Sequence, residues 1–249
     1  MDEILKQTAH RPWALRSGQW IMKQVWHDLL FAHWPVAVDG LRALIPPQLE
    51  IETFGGRAWV GVVPFRMSGV RARGTMAVPG ISRFPELNVR TYVTRDGKPG
   101  VWFFSLDAAN RVAVWAARFA FHLPYFWAEM KCEENSGWIE YSSKRARSEG
   151  LPAALAGRYR AIGETFAAQA GSIEHFLAER YCLYTADERA RIIRCEIHHR
   201  PWALQLAEAS FRVSTMAAAA GIAIAEARVE LLHFSRRQDV LVWPPERVE

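Results

Sequence analysis

Cysteine is scarce in this 249-residue chain, and its three copies form no pattern. Cys132, Cys182 and Cys195 are widely spaced, their number is odd, and no two of them form a CxxC pair. A disulfide framework and a thiolate zinc site are therefore not indicated. Because reduced cysteines are typical of a reducing compartment, we expect a cytoplasmic protein.

Long apolar runs are also missing. The longest, MAAAAGIAIA from Met216, is about half a membrane span, since a spanning helix needs about 20 apolar residues. The first residues, MDEILKQTAHRPW, contain two acids and no apolar core, whereas a signal peptide needs both a basic start and an apolar segment. We therefore expect no membrane partner.

Lysine is the scarcest charged residue, since only five lysines accompany 26 arginines. The net charge of +5 is spread along the chain, with short clusters at Arg71, Lys144 and Arg236. No zinc-finger, RNP or helix-turn-helix pattern accompanies these clusters, which a nucleic-acid-binding protein would be expected to show. We therefore expect a solvated basic surface and no nucleic-acid partner.

The remaining composition is typical of a globular core. Half of the residues are apolar and 23% are charged, and neither a repeat nor a long Gly/Ser/Pro linker divides the chain. Since β-rich folds often reach about 200–250 residues in one piece, we expect a single domain over residues 1–249.

Strand patterns dominate the chain. The clearest is a hairpin in which ELNVRTYVTR and VWFFSLD flank the turn DGKPG, because Asp-Gly tolerates the positive φ that a tight turn requires. Further strands are predicted at RAWVGVVPFRM, WIEYSSKRAR, GRYRAIGE, ERYCLYTA, RIIRCEIHH, EARVELLHF and VLVW. Many strands with few helices indicate a mainly β (α+β) fold with a curved or barrel-like antiparallel sheet.

Three short helices are predicted by their N-caps. DGLRALI starts with Asp39 as its cap, NRVAVWAARFAF starts with Asn110, and SIEHFLAER starts with Ser172. The Asn110 helix carries an apolar stripe and breaks near Pro124, with a resumption of the helix through Trp127 left open.

Eight segments together resemble the YqjF-like family of uncharacterised bacterial proteins. They are FAHWPV, LRALIP, AWVGVVPFRM, ELNVRTYV, GVWFFSLDA, ERYCLY, IHHRPW and HFS. This family is distantly similar to acetoacetate decarboxylase, a β-rich enzyme whose lysine forms a Schiff base with its keto acid. The resemblance implies a decarboxylase-like sheet with a few peripheral helices. It is compatible with a homo-oligomer, although no sequence feature fixes one.

Three passages carry the similarity to acetoacetate decarboxylase. DGLRALIPPQLEIE is similar to the enzyme's early helix, proline-containing loop and following strand. ELNVRTYVTRDGKPG is similar to the hairpin with the catalytic glutamate, which implies that role for Glu86. AARFAFHLPYF is similar to its Gly-Arg-Glu helix followed by Tyr-Pro-Lys-Lys, which implies the family arginine at Arg118. The two lysines then fall on Tyr125 and Phe126.

The missing lysine decides which chemistry is expected. A Schiff base requires a primary amine that is neutral near pH 7, and neither tyrosine nor phenylalanine has one. Lysine is rarely buried, so we expect all five lysines in solvent. We therefore predict no imine chemistry. No cofactor and no metal are expected either. The five lysines are Lys6, Lys23, Lys98, Lys131 and Lys144.

The even positions of ELNVRTYV share one face of a strand, and all of them are polar: Glu86, Asn88, Arg90 and Tyr92. Such a face is either a solvated sheet surface or the wall of a ligand cavity. The family resemblance favours the cavity, with Trp59 as a further candidate lining residue.

Within such a cavity, Arg90 and Arg118 are the candidates to bind a substrate carboxylate through paired hydrogen bonds. Tyr125 is the candidate to donate its hydroxyl to a carbonyl oxygen or an oxyanion. Two functions stay open. One is a lyase- or hydrolase-like enzyme on a small carbonyl or carboxylate compound with Glu86 as proton-transfer group. The other is a non-catalytic module that binds such a ligand.

The pair His198-His199 suggests a metal site, but adjacent strand residues point to opposite faces of a sheet. Both rings therefore cannot readily bind one ion, and we expect hydrogen-bonded structural histidines.

Overall fold

The computed structural model describes residues 3–224 and 229–248 and is mostly β. The strands are β1 (Met22–Val36), β2 (Glu50–Ile51), β3 (Ala58–Ala72), β4 (Phe84–Arg95), β5 (Lys98–Ala108), β6 (Tyr125–Asn135), β7 (Trp138–Arg145), β8 (Ala154–Ala167), β9 (Cys182–Ala186), β10 (Ile192–His198), β11 (Ala203–Ser214), β12 (Leu231–Val242) and β13 (Glu246–Arg247). The helices are α1 (Val38–Arg42), α2 (Arg111–Phe121), α3 (Ile173–Ala178) and α4 (Met216–Ala219).

The strands form one large curved circuit. Hydrogen-bonded pairing runs from β5 through β6, β7, β8, β11, β12, β1, β3 and β4, and β4 pairs again with β5. The predicted mainly β fold is confirmed, but the sheet is mixed rather than purely antiparallel. Strands β5 and β6 are parallel because α2 crosses between them, and β5 is also parallel to β9.

The predicted hairpin is formed by β4 and β5. Arg95 pairs with Lys98 across a two-residue turn, in which Asp96 and Gly97 both have positive φ angles, 54° and 68°. This is the backbone conformation that favours Asp-Gly in a tight hairpin.

Two of the predicted helix caps are confirmed. The side chain of Asn110 accepts a hydrogen bond from the backbone N–H of Ala113 at 3.0 Å, and Ser172 caps α3 in the same way. The cap predicted at Asp39 is wrong. Helix α1 follows Ala37 without a side-chain cap, and Asp39 lies in its first turn, where a negative charge still favours the helix dipole.

The helix does not resume after Pro124. His122 ends α2 with a left-handed φ of 51°, and the chain from Tyr125 is extended as β6. Strands β1, β6, β11 and β13 were not predicted. The strands predicted at EARVELLHF and VLVW are parts of one long strand, β12, and residues 226–228 of the first lie outside the described residues.

No helix within residues 3–224 and 229–248 combines the length and the hydropathy needed to cross a membrane.

Candidate functional site

A cavity of about 240 Å³ lies inside the sheet, and we call it the β4 cavity. Its wall is mostly apolar and comes from β1, β3, β4, β5 and α2, with further residues from β9 and β10. The apolar stripe predicted on α2 contributes Ala117 and Phe121. The principal polar and charged lining residues are Gln24, Glu86, Asn88, Arg90, Tyr125, Arg180 and His199.

Alternation along β4 places the polar residues at this wall. Glu86, Asn88 and Arg90 line the cavity, whereas Leu87 and Val89 pack in the hydrophobic core on the other face of the strand. Since strand residues rise about 3.3 Å each, Glu86 and Arg90 lie roughly 13 Å apart along β4. The cavity therefore has an acid end and a cationic end with an amide between them.

Glu86 is only 2% exposed and has no arginine partner among the described residues. Its carboxyl group accepts a hydrogen bond from the Tyr125 hydroxyl at 2.8 Å, and its backbone carbonyl accepts one from Tyr141 at 2.7 Å. Burial raises the pKa of Glu86 to about 8, against the opposing effect of the Tyr125 hydrogen bond and with a smaller contribution from the negative charge of Asp107. Glu86 is therefore mostly protonated at neutral pH.

The neighbouring Asp107 is bound by a buried arginine. Arg145 donates two hydrogen bonds to its carboxylate, at 2.7 and 2.8 Å. Burial raises the pKa of Asp107, but the Arg145 guanidinium opposes this effect. Phe126 stacks on that guanidinium at 3.8 Å and is not part of the described cavity lining. Of the two residues that align with the decarboxylase lysines, Tyr125 therefore lines the described cavity and Phe126 does not.

Arg90 is buried at the other end of the polar row. One of its terminal nitrogens donates to the backbone carbonyl of Leu177 at 3.2 Å and to the Tyr92 hydroxyl at 3.5 Å. Its Nε has no partner, and no carboxylate lies within ion-pair distance of it, in the part of the chain that the structure describes. Because burying an unpaired charge costs free energy, this guanidinium is suited to an anionic ligand.

Arg180 is a cavity residue that sequence reasoning missed. It forms a salt bridge with Glu52, and its Nε donates to the backbone carbonyl of Phe176 at 2.7 Å. Burial lowers the pKa of Arg180, and Glu52 opposes this shift. The residue stands in the motif ERYCLY, but nothing local to that motif indicates that Glu52, 128 residues away, neutralises it.

Arg118 lies outside the β4 cavity, so the expectation that it shares a site with Glu86 does not hold. It is on the outer part of α2, where it forms a salt bridge with Glu149. Its Nε donates to the backbone carbonyl of Tyr125 at 2.7 Å. The position one turn before the helix end directs the side chain along the surface toward the start of β6.

Tyr92 and Trp59 also lie outside the described cavity lining. Helix α3 covers this end of β4, with the rings of Tyr92 and Phe176 centred 5.2 Å apart. The Tyr92 hydroxyl lies 2.6 Å from Nε2 of His33, and Trp59 donates to the backbone carbonyl of Phe54 at 3.3 Å. These two residues belong to a small packed cluster next to Arg90.

The two adjacent histidines have different environments. His199 lines the cavity, and its ring nitrogens lie 2.7 and 3.1 Å from the carbonyl oxygens of Arg200 and Arg180. His198 contacts the backbone of Ile4 and the side chain of Arg11 instead. Burial lowers the pKa of both rings, that of His198 to about 4, so His198 is neutral at pH 7.

Comparison with known proteins gives a family. The family model of an uncharacterized conserved protein, DUF2071, matches residues 23–239. The uncharacterized protein YqjF of Bacillus subtilis (strain 168) is 51% identical over 227 residues, which are 91% of this chain and 92% of that protein.

Solved structures show the same fold at low identity. Acetoacetate decarboxylase from Legionella pneumophila matches with a TM-score of 0.64 and 12% identity, over 97% of this chain and 93% of that chain. The enduracididine biosynthesis enzyme MppR, complexed with pyruvate, matches with a TM-score of 0.63 and 11% identity, over 96% and 93%. An acetoacetate decarboxylase-like enzyme from Sphingomonas wittichii RW1 matches with a TM-score of 0.61 and 12% identity, over 96% and 99%. At these identities the likeness extends to the fold.

Proposed function

This chain belongs to the DUF2071 family of uncharacterised conserved proteins, and we propose that it binds a small carboxylate with an apolar body in the β4 cavity and transfers a proton at Glu86. The observation that carries this proposal is the state of Glu86. It is buried, hydrogen-bonded to Tyr125, and has a pKa of about 8. A general acid or base works best when its pKa is near the working pH.

The charges at the cavity wall support an anionic ligand. At pH 7 Glu86 is mostly neutral, and Glu52 balances Arg180. Arg90 is then the cation at this wall without a carboxylate partner among the described residues. A carboxylate bound at Arg90 would satisfy its free Nε–H, while the ligand's apolar part contacts the aliphatic and aromatic wall.

The Tyr125 hydroxyl is suited to bind a carbonyl oxygen or an oxyanion at the Glu86 end of the cavity. Its single hydroxyl hydrogen is donated to Glu86, and a ligand oxygen placed beside both groups would accept a hydrogen bond from the protonated Glu86, or from Tyr125 once that hydrogen turns toward the ligand. The reaction supported is proton transfer next to a carbonyl, in which Glu86 as carboxylate removes a proton from carbon and the resulting enolate oxygen accepts a hydrogen bond from Tyr125. A lyase-like step of this kind needs no amine. None of the five lysines is part of the described lining of the cavity.

Ligand binding is tested by thermal shift with keto, hydroxy and aromatic carboxylates, using pyruvate, acetoacetate and benzoate as first probes. A ligand that binds only the folded state raises the melting temperature by mass action. We expect the shift to be lost in Arg90→Gln and reduced in Arg90→Lys, which keeps the charge without the planar fork. Arg118→Gln is the matched control, because Arg118 lies outside the cavity. A shift that survives in Arg90→Gln would contradict this assignment.

A non-catalytic ligand-binding protein is the second candidate, and the replacement of both amine positions by Tyr125 and Phe126 favours it. A hydrogen–deuterium exchange experiment in heavy water distinguishes the two functions. An enzyme of the proposed kind exchanges the protons next to the carbonyl of a bound keto acid for deuterium, which proton NMR detects. Glu86→Gln would abolish exchange and keep binding. Binding without exchange in the wild-type protein would establish the non-catalytic function.

A further inference from the structure

The outer face of α2 exposes large aromatic side chains. Trp115 and Phe119 are 67% and 75% exposed, and their rings stack in parallel with centroids 5.7 Å apart. Val112 lies on the same face and is also exposed. A helix on a globular protein ordinarily turns such residues inward. Helix α2 turns Phe121 and several alanines toward the β4 cavity and buries Val114, but it leaves Trp115 and Phe119 exposed.

The loop between β3 and β4, which is joined to the start of α2, exposes further apolar side chains. Met76 is 89% exposed, and Val78 and Ile81 are exposed beside it in sequence. The Asn110 side chain donates to the backbone carbonyl of Ile81 at 2.9 Å, which joins the loop to the start of α2. We call these residues the α2 apolar surface; they are Met76, Val78, Ile81, Val112, Trp115 and Phe119.

The two chain segments that form this surface carry positive charge only. Residues 70–83 and 108–122 contain five arginines and neither aspartate nor glutamate. Four of these arginines, Arg73, Arg83, Arg111 and Arg118, are exposed. Arg118 is paired with Glu149, which comes from another segment. Exposed Trp, Phe and Met side chains with arginines around them are typical of a surface that lies on an anionic membrane.

From this charge complementarity we propose that the α2 apolar surface docks the protein on an anionic phospholipid bilayer. Trp115, Phe119 and Met76 enter the interfacial region, and the exposed arginines contact lipid phosphates. A second copy of the chain is disfavoured as the occupant. A two-fold contact places the same patch on both partners, so two patches of the same positive charge would face each other.

The β4 cavity lies next to the α2 apolar surface. Ala116 and Ala120 of α2 line the β4 cavity and are themselves exposed, and both are next to the α2 apolar surface on the helix. Val70 and Phe84, at the two ends of the loop, line the cavity as well. Docking therefore sets the edge of the cavity against the bilayer.

The test is flotation of the purified full chain with vesicles of phosphatidylcholine alone or mixed with phosphatidylglycerol. The wild-type protein is expected to float with the anionic vesicles, less so at high salt, because screening weakens the contact. The double variant Trp115→Ala/Phe119→Ala should bind roughly tenfold more weakly or worse. The matched control is Ile162→Ala/Leu206→Ala, which removes another exposed apolar pair, one that faces its partner across β8 and β11. Arg73→Gln/Arg83→Gln leaves the apolar residues in place and should reduce binding to anionic vesicles.

Several results would overturn the proposal. Failure of the wild-type protein to float with anionic vesicles is one, and equal binding by both apolar double variants is another. Light scattering after size exclusion provides a third. If Trp115→Ala/Phe119→Ala converts a dimer into monomers while vesicles bind neither form, the surface contacts a second copy instead. Vesicle binding does not depend on the Glu86 chemistry, so this test and that of the cavity ligand fail separately.

Discussion

Replacing Glu86 with glutamine should remove part of the dependence of stability on pH. In the folded protein the pKa of Glu86 is raised from its ordinary value of 4.5 to about 8, mainly by burial. The folded state therefore holds this proton more tightly than the unfolded state. Stability from this group is fully present below about pH 4.5 and is lost as the pH rises toward 8.

The magnitude follows from the size of the shift. Each unit of pKa difference corresponds to about 1.4 kcal/mol, so a rise from 4.5 to about 8 amounts to at most about 5 kcal/mol. That is a large part of the roughly 5–15 kcal/mol by which proteins of this kind are stable. Glutamine stays neutral, retains an oxygen to accept the Tyr125 hydrogen bond, and has nearly the same volume.

Urea denaturation at intervals from pH 5 to pH 9 measures this effect. The free energy of unfolding of Glu86→Gln minus that of the wild type should increase with pH by about 3–5 kcal/mol, whatever constant offset the amide introduces. Other titrating groups largely cancel in the difference. A difference that stays constant within about 1 kcal/mol over this range would show that Glu86 titrates normally, and the reasoning from burial would be wrong.

Glu196 provides a control of opposite sign. Burial tends to raise its pKa, but hydrogen bonds from Lys98 and Trp13, at 2.7 and 3.0 Å, outweigh burial and lower it. Its contribution to stability is present above the unfolded pKa and is lost as the pH falls through the folded pKa. Glu196→Gln should therefore be destabilising and nearly independent of pH from 5 to 9, with a smaller cost at more acidic pH.

Three further outcomes are expected. Incubation with acetoacetate and borohydride should leave the protein mass unchanged, and a stoichiometric adduct on any lysine, Lys131 above all, would contradict the absence of imine chemistry. Tyr125→Phe should destabilise the protein by about 0.5–1.5 kcal/mol at pH 6 and by more at pH 9, because the Tyr125 hydrogen bond lowers the pKa of Glu86 and its removal raises that pKa further. Equal costs at the two pH values in urea denaturation would argue against this coupling. Asn110→Ala should destabilise the protein by about 1 kcal/mol through loss of the α2 cap, whereas Asn110→Asp should retain most of the capping. Thermal melts that rank Asp and Ala equally would show that the cap bond contributes little.

Sequence reasoning succeeded where a structure depends on a few neighbouring residues. The Asp96-Gly97 turn and the Asn110 cap are determined by φ angles and hydrogen bonds within three residues of one another. The alternation of Glu86 with Leu87 also follows from the geometry of any strand. Which face of β4 borders a cavity was not determined locally, and the family resemblance supplied that expectation.

The tertiary structure alone decided how the charged residues are distributed. Arg180 is a cavity residue that Glu52 balances across 128 positions of the chain, while Arg118 points along the surface to Glu149. No short segment contains the information for either pair, because each depends on how distant strands and helices are brought together. The extended conformation of β6 from Tyr125 also depends on distant parts of the chain. Its backbone groups form hydrogen bonds with β5 and β7 rather than within a helix. Local pattern therefore determined most of the strands, two of the helix starts and the alternation of side chains on β4, whereas long-range packing decided which of these charges are paired.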